Sequence, residues 1–155
     1  MINSIISVIV GAIIGVLVGK RIERQVSINQ SKKTVRAFLK MFISRWKKLD
    51  DFSLVMAMQS DLNSAFDEFD RGIKEISDIG KILLELTKEY ATYIPKQASN
   101  INQIASEIEG LKDNSSRIRN ALINEHRGLP EDDYLYHISN LVERAEELLK
   151  GSVES

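Results

Sequence analysis

Residues 62–94 read LNSAFDEFDRGIKEISDIGKILLELTKEYATYI. Leu62, Phe66, Phe69, Ile73, Ile76, Gly80, Leu83, Thr87, Tyr90 and Ile94 recur in alternating steps of four and three, flanked on the same side by Ala65, Ile79, Leu86 and Tyr93. Such steps keep residues on one face of a helix with 3.6 residues per turn, so the spacing predicts a heptad stripe along a long amphipathic helix. Pro95 ends or kinks it, since proline has no amide to donate and clashes with the preceding turn.

Further along, Ile101, Ile104, Ile108, Leu111, Ser115, Ile118 and Leu122 form a second stripe, with Asn100, Asn102, Glu107, Glu109, Lys112 and Asn114 outside it. Gly128 and Pro130 stop that helix. Asp132 or Asp133 is placed to cap a last one running through Leu135, Ile138, Leu141, Val142, Ala145, Leu148 and Leu149 to Gly151. Towards the N-terminus, Val35, Phe38, Leu39, Phe42, Ile43, Trp46 and Leu49 share one arc of a helix, with Lys33, Arg36, Lys40 and Lys47 across from them. That basic amphipathic helix either lies in a lipid headgroup layer or buries its apolar face against the helices that follow, and the second reading is preferred because those helices also need cover. No segment alternates with period two, so the chain reads as all-α. Helices with one apolar face are marginal alone. The expectation is an antiparallel helical bundle or a coiled coil, packed within one chain or between copies.

With 155 residues the chain has room for one domain and an anchor. It has no cysteine, which removes disulfides, thiol nucleophiles and cysteine-bound zinc. Its net charge of −1 conceals an asymmetry: residues 20–48 carry +9 and the remainder −10. A basic collar beside an acidic body suits something held at a negatively charged surface.

Residues 2–19 contain no charge, and only Asn3, Ser4 and Ser7 are polar. Eighteen helical residues span about 27 Å, near the hydrocarbon thickness of a bilayer. A cleaved signal peptide would place basic residues before the apolar run and a small-x-small site after it. Here Lys20, Arg21 and Arg24 come after the run, so it reads as an uncleaved transmembrane anchor with its N-terminus outside and the body in the cytoplasm. Ser7, Gly11, Gly15 and Gly19 recur every four residues within it, a small-xxx-small stripe against which a neighbouring helix can pack. The resulting organisation is an anchor over 1–19, a basic juxtamembrane helix over 20–49, an acidic helical body over 50–151 and a tail over 152–155.

Residues that carry chemistry are sparse. His126 and His137 lack the spacing that sets two ligands on one helix face. Asp67, Glu68 and Asp70 spread around a helix exterior, and Glu131, Asp132 and Asp133 sit where a helix N-terminus favours acids. Phosphate-binding glycine loops are absent. The expectation is no enzyme, no cofactor, no metal, no small-molecule substrate and no nucleic acid; the basic helix finds a simpler partner in lipid phosphate. Membrane lipids, further copies of the chain and an unidentified protein are the expected partners, with Lys20, Arg21, Arg24, Lys33, Arg36, Lys40, Trp46 and Lys47 as lipid or partner contacts.

A short glycine-rich anchor, a basic collar and a helical body resemble in arrangement several small bacterial inner-membrane proteins of the envelope and division machinery. The resemblance is strongest over residues 8–25 and includes no motif of the body. The function expected is a membrane-anchored cytoplasmic scaffold or adaptor that oligomerises and recruits partners. The alternative is a holin-like or toxin-like effector whose first helices assemble into a pore through the glycine stripe.

Overall fold

The computed structural model describes residues 2–58, 63–92, 95–130 and 132–151, and within them the side chains of all but residues 2–15, 63, 90 and 95. Among the described residues there are five α-helices, one 3₁₀ turn and no strand: α1 Ile2–Met58, α2 Asn63–Ala91, α3 Pro95–Gly110, the 3₁₀ turn Leu111–Asn114, α4 Ser115–His126 and α5 Asp133–Gly151. The chain is all-α. It divides into two compact units, Met1–Thr34 and Val35–Ser155, and α1 contributes to both.

The first unit is helical from Ile2 onward. Val16, Leu17, Val18, Ile22 and Val26 are each at least half exposed, and a Cβ built on Gly19 meets nothing within 4 Å. Among the described residues no helix is long and apolar enough to cross a membrane. The transmembrane span expected over residues 2–19 falls, for its first fourteen positions, on side chains outside that description.

The second unit is a helical bundle around one core. Residues 35–58 of α1 bury Val35, Leu39, Phe42, Leu49, Ser53 and Met56, and Trp46 packs half-buried against the same core. The steps of four and three thus run to the end of α1, seven residues beyond the arc expected from sequence. Phe38 and Ile43 flank the stripe as half-buried cover.

The stripe of α2 is realised in Phe69, Ile73, Ile76, Leu83 and Thr87, all nearly inaccessible, with Phe66 partly covered; Leu62, Tyr93 and Ile94 and the side chain of Tyr90 lie outside the description. Buried Thr87 donates its hydroxyl to the Leu84 carbonyl at 2.9 Å and to Asn102 Oδ1 at 3.2 Å, so its burial leaves no polar group bare. Pro95 opens α3, the first-turn position at which a missing amide costs nothing.

The second stripe buries Ile101, Ile104, Ile108, Leu111, Ile118 and Leu122 as expected, but not on one helix. Gly110 and the run Asp113, Asn114, Ser115 and Ser116 are poor helix formers whose short polar side chains compete for the backbone. The chain tightens there into the 3₁₀ turn and resumes as α4.

Contacts between helices fix their directions. Leu49 meets Gly72 while Arg45 pairs with Glu75, so α1 and α2 are antiparallel. Thr87 meets Asn102, Ser77 meets Glu109 and Asp70 meets Ser115, so α3 and α4 run in turn back along α2. Arg144 and His137 of α5 both reach Glu107. The unit is a four-layer bundle whose third layer is broken by the 3₁₀ turn.

Two punctuation marks hold as read. Gly128 has φ +71°, its amide bonds Glu125 O at 2.9 Å and the Leu129 amide reaches Asn124 O at 2.9 Å, the Schellman pattern that a left-handed glycine allows. Asp132 caps α5 by accepting the Tyr134 amide at 2.8 Å. Its carboxylate also takes Arg117 Nη2 at 2.8 Å, and these two donors hold the Asp132 pKa below its ordinary value of 3.8. A depressed carboxyl pKa adds stability above the unfolded pKa and loses it as pH falls through the folded one. Thermal scans between about pH 5 and pH 2.5 are expected to show part of the acid destabilisation missing in Asp132→Asn, which starts from a lower neutral melting temperature. Parallel acid limbs for the two proteins would rule out this contribution.

Candidate functional site

The residues singled out from sequence fall into two groups. Ser7, Gly11 and Gly15 lie outside the described side chains, so of the small-residue stripe only Gly19 is placed, half-exposed with open space beside it. Lys20, Arg21 and Arg24 are exposed along the first unit. In the second unit Lys40 and Lys47 are exposed one heptad apart on the outer side of α1, and in the first unit Lys33 is exposed. Arg36 is half-buried, and Trp46 turns to the core, away from the lysines.

Polar clusters between helices are structural in form. Arg119 is the most enclosed: its side chain is only 12% exposed, and its Nη1 donates to both oxygens of Asp70 at 2.9 and 3.1 Å. Ser115 Oγ adds a 2.6 Å bond to the same carboxylate, and the guanidinium stacks over Phe66 with 4.1 Å to the ring centroid. Sequence reasoning placed Asp70 on a solvated face and passed over Arg119. The available signal was the register of Arg119, which falls beside Ser115, Ile118 and Leu122 inside an apolar arc.

His126 Nε2 lies 3.1 Å from Asp50 Oδ1, joining α4 to α1. His137 lies 3.5 Å from Glu107, whose carboxylate Arg144 grips at 2.9 and 3.0 Å. The histidines thus sit in different clusters, and among the described residues no three potential ligands converge. Buried hydroxyls bond carbonyl oxygens: Ser53 to Asp50 O and Ser77 to Glu109 O, both at 2.6 Å. None of these contacts pairs a nucleophile with a base.

Two of the concave surfaces are open grooves along α2. One, of about 650 Å³, is lined by Asp78, Lys81, Ile82, Glu85, Leu86 and Glu89. Another, of about 520 Å³, runs along the α2 and α3 seam beside Leu84, Lys88 and Asn102. They carry charged rims and a few apolar floor residues, the form of a surface that meets another surface. Comparison of the chain with protein-family models, with curated proteins and with solved structures finds no match.

Proposed function

We propose that the protein is a membrane-anchored helical scaffold or adaptor, held by residues 2–19 with its N-terminus outside, its bundle on the cytoplasmic side and copies clustering to present partner-binding surfaces. The observation that carries this reading is the eighteen-residue uncharged run followed directly by Lys20, Arg21 and Arg24. The exposure of Val16, Leu17 and Val18 supports it, because apolar side chains without protein cover are what a hydrocarbon phase accommodates. Long helices with charged outer faces and open grooves support the scaffold part, since they offer area for protein contact.

Alkaline carbonate washing of membranes tests the anchor. The intact chain is expected in the pellet. Val10→Asp, which sets a carboxylate near the centre of the run at roughly 3 kcal/mol of apparent insertion free energy, is expected in the wash. Protease added outside spheroplasts should leave the bundle whole. Release of the unaltered chain by carbonate would remove the anchor, and digestion from outside would reverse the orientation.

A further inference from the structure

Just past the uncharged run, α1 divides lengthwise by charge. At about 100° per residue, Val18, Gly19, Ile22, Gln25, Val26 and Asn29 share an arc of about 120° that holds no charge, while Lys20, Arg21, Glu23 and Arg24 all fall outside it. Ile22 and Val26 are each more than half exposed on this arc, although the charged residues beside them belong in water. Gly19, Ile22, Val26 and Asn29 follow one another in steps of three and four, the spacing by which two parallel helices meet along a seam. A Cβ on Gly19 would meet nothing within 4 Å, so the end of the seam nearest the uncharged run has room for a second backbone.

We propose that this arc pairs with the same arc of a second copy of the chain, parallel and in register. The occupant follows from what the arc contains. A symmetry axis running along the helices sets each residue opposite itself, so a self-pairing seam accepts apolar and amide groups and excludes charge, and this is the one side of the segment with that composition. Asn29 Oδ1 accepts from Gln25 Nε2 of its own chain at 3.4 Å, which leaves the Asn29 amide group to donate to the second copy's Asn29. An amide within an apolar seam fixes register, since a slip of one step sets it unpaired against Val26. Lys33, the next step, brings lysine to lysine and ends the seam. A lipid headgroup would instead seek Lys20, Arg21 and Arg24, which lie on the opposite side.

Two apolar layers within about 15 Å of helix do not hold two chains together in free solution, so the pairing depends on confinement. This inference therefore rests on the anchored scaffold proposed above. The uncharged run and the seam belong to one continuous helix within the first unit, so chains inserted in the same direction bring their seams together parallel.

The natural absence of cysteine makes the test direct. In the full-length chain in membranes, Ile22→Cys is expected to yield roughly tenfold more oxidised dimer than Ser27→Cys, which is exposed beside Val26 but outside the arc. An apolar seam is not screened, so the yield should hold near 1 M salt. Val26→Lys added to Ile22→Cys should cut the dimer about fivefold by setting two cations face to face, whereas Ser27→Lys, of the same charge, should leave it unchanged. Equal crosslinking of Ile22→Cys and Ser27→Cys overturns the proposal. So does an equal effect of Val26→Lys and Ser27→Lys, the result expected of a segment that only contacts lipid. Carbonate washing of the same membranes separates the two readings. A retained chain that crosslinks no better through residue 22 than through residue 27 leaves the anchor and removes the seam. A released chain that still favours residue 22 removes the anchor and keeps the seam.

Discussion

Asp70→Ala is expected to lower the unfolding free energy of the bundle by about 2–3 kcal/mol, well above the usual cost of altering a carboxylate that is 44% exposed. The cost lies in what is left behind. Arg119 keeps only 12% of its side chain accessible, and its Nε already has no hydrogen-bond partner among the described residues. Without Asp70 the guanidinium loses both oxygens that compensate its charge, and Ser115 loses its acceptor. An uncompensated buried charge is the severe case; a fully enclosed pair would cost about 3–5 kcal/mol, and the access of water to Asp70 reduces that figure here. The discriminating variant is the double exchange Asp70→Leu with Arg119→Met, which removes both charges and keeps apolar volume over Phe66. It should recover most of the loss, because a well-packed apolar pair matches a buried ion pair in stability. Urea denaturation followed by circular dichroism gives both numbers, and a double exchange no better than Asp70→Ala would mean that the ion pair itself, rather than the orphaned cation, sets the stability.

Periodicity makes the bundle readable from sequence because burial is a collective property of many positions. Phe69, Ile73, Ile76 and Leu83 declare their face through spacing alone, and Gly128 and Asp132 mark helix ends through backbone rules that need no partner. The break at Gly110 was less visible. A seam in steps of three and four survives a 3₁₀ turn, so the hydrophobic pattern continues across a point where the backbone does not. Arg119 escaped for a different reason: a long side chain can cross from an apolar arc to a carboxylate on another helix, and no local pattern names that acid. The candidate surfaces are only partly legible. Lys40 and Lys47 lie on the outer side of α1 and Trp46 on the buried arc from Phe42 to Leu49, both as their spacing indicates, so Trp46 faces the bundle and not the lysines with which it is also grouped as a lipid or partner contact.

Gly80→Val is the second large effect, at about 3 kcal/mol of destabilisation. Gly80 stands in the stripe of α2 at a position where the heptad calls for bulk. The structure supplies backbone there instead: a Cβ on Gly80 would run into Glu109 N and lie 2.7 Å from Ala105 O and 2.9 Å from Glu109 Cα. Backbone atoms of α3 cannot rotate out of the way as a side chain can, so relief requires the two helices to separate. Separation would also break the 2.6 Å bond from Ser77 to the Glu109 carbonyl, one turn away on the same side of α2. Gly110→Ala is the matching control. Gly110 has ordinary right-handed backbone angles, φ −71° and ψ −11°, and its Cβ would meet nothing within 4 Å. Alanine should therefore be neutral or raise stability by about 0.5–1 kcal/mol by restricting the unfolded chain. Gly72 lies between the two, since its Cβ would meet only the movable end of Leu49 at 2.7 Å. The order of stability is thus Gly110→Ala, Gly72→Ala, Gly80→Val, and thermal melts of the three chains should reproduce it. A Gly80→Val protein that melts with the unaltered chain would mean that α2 and α3 do not approach at backbone distance, and the seam would have to be held by side chains alone.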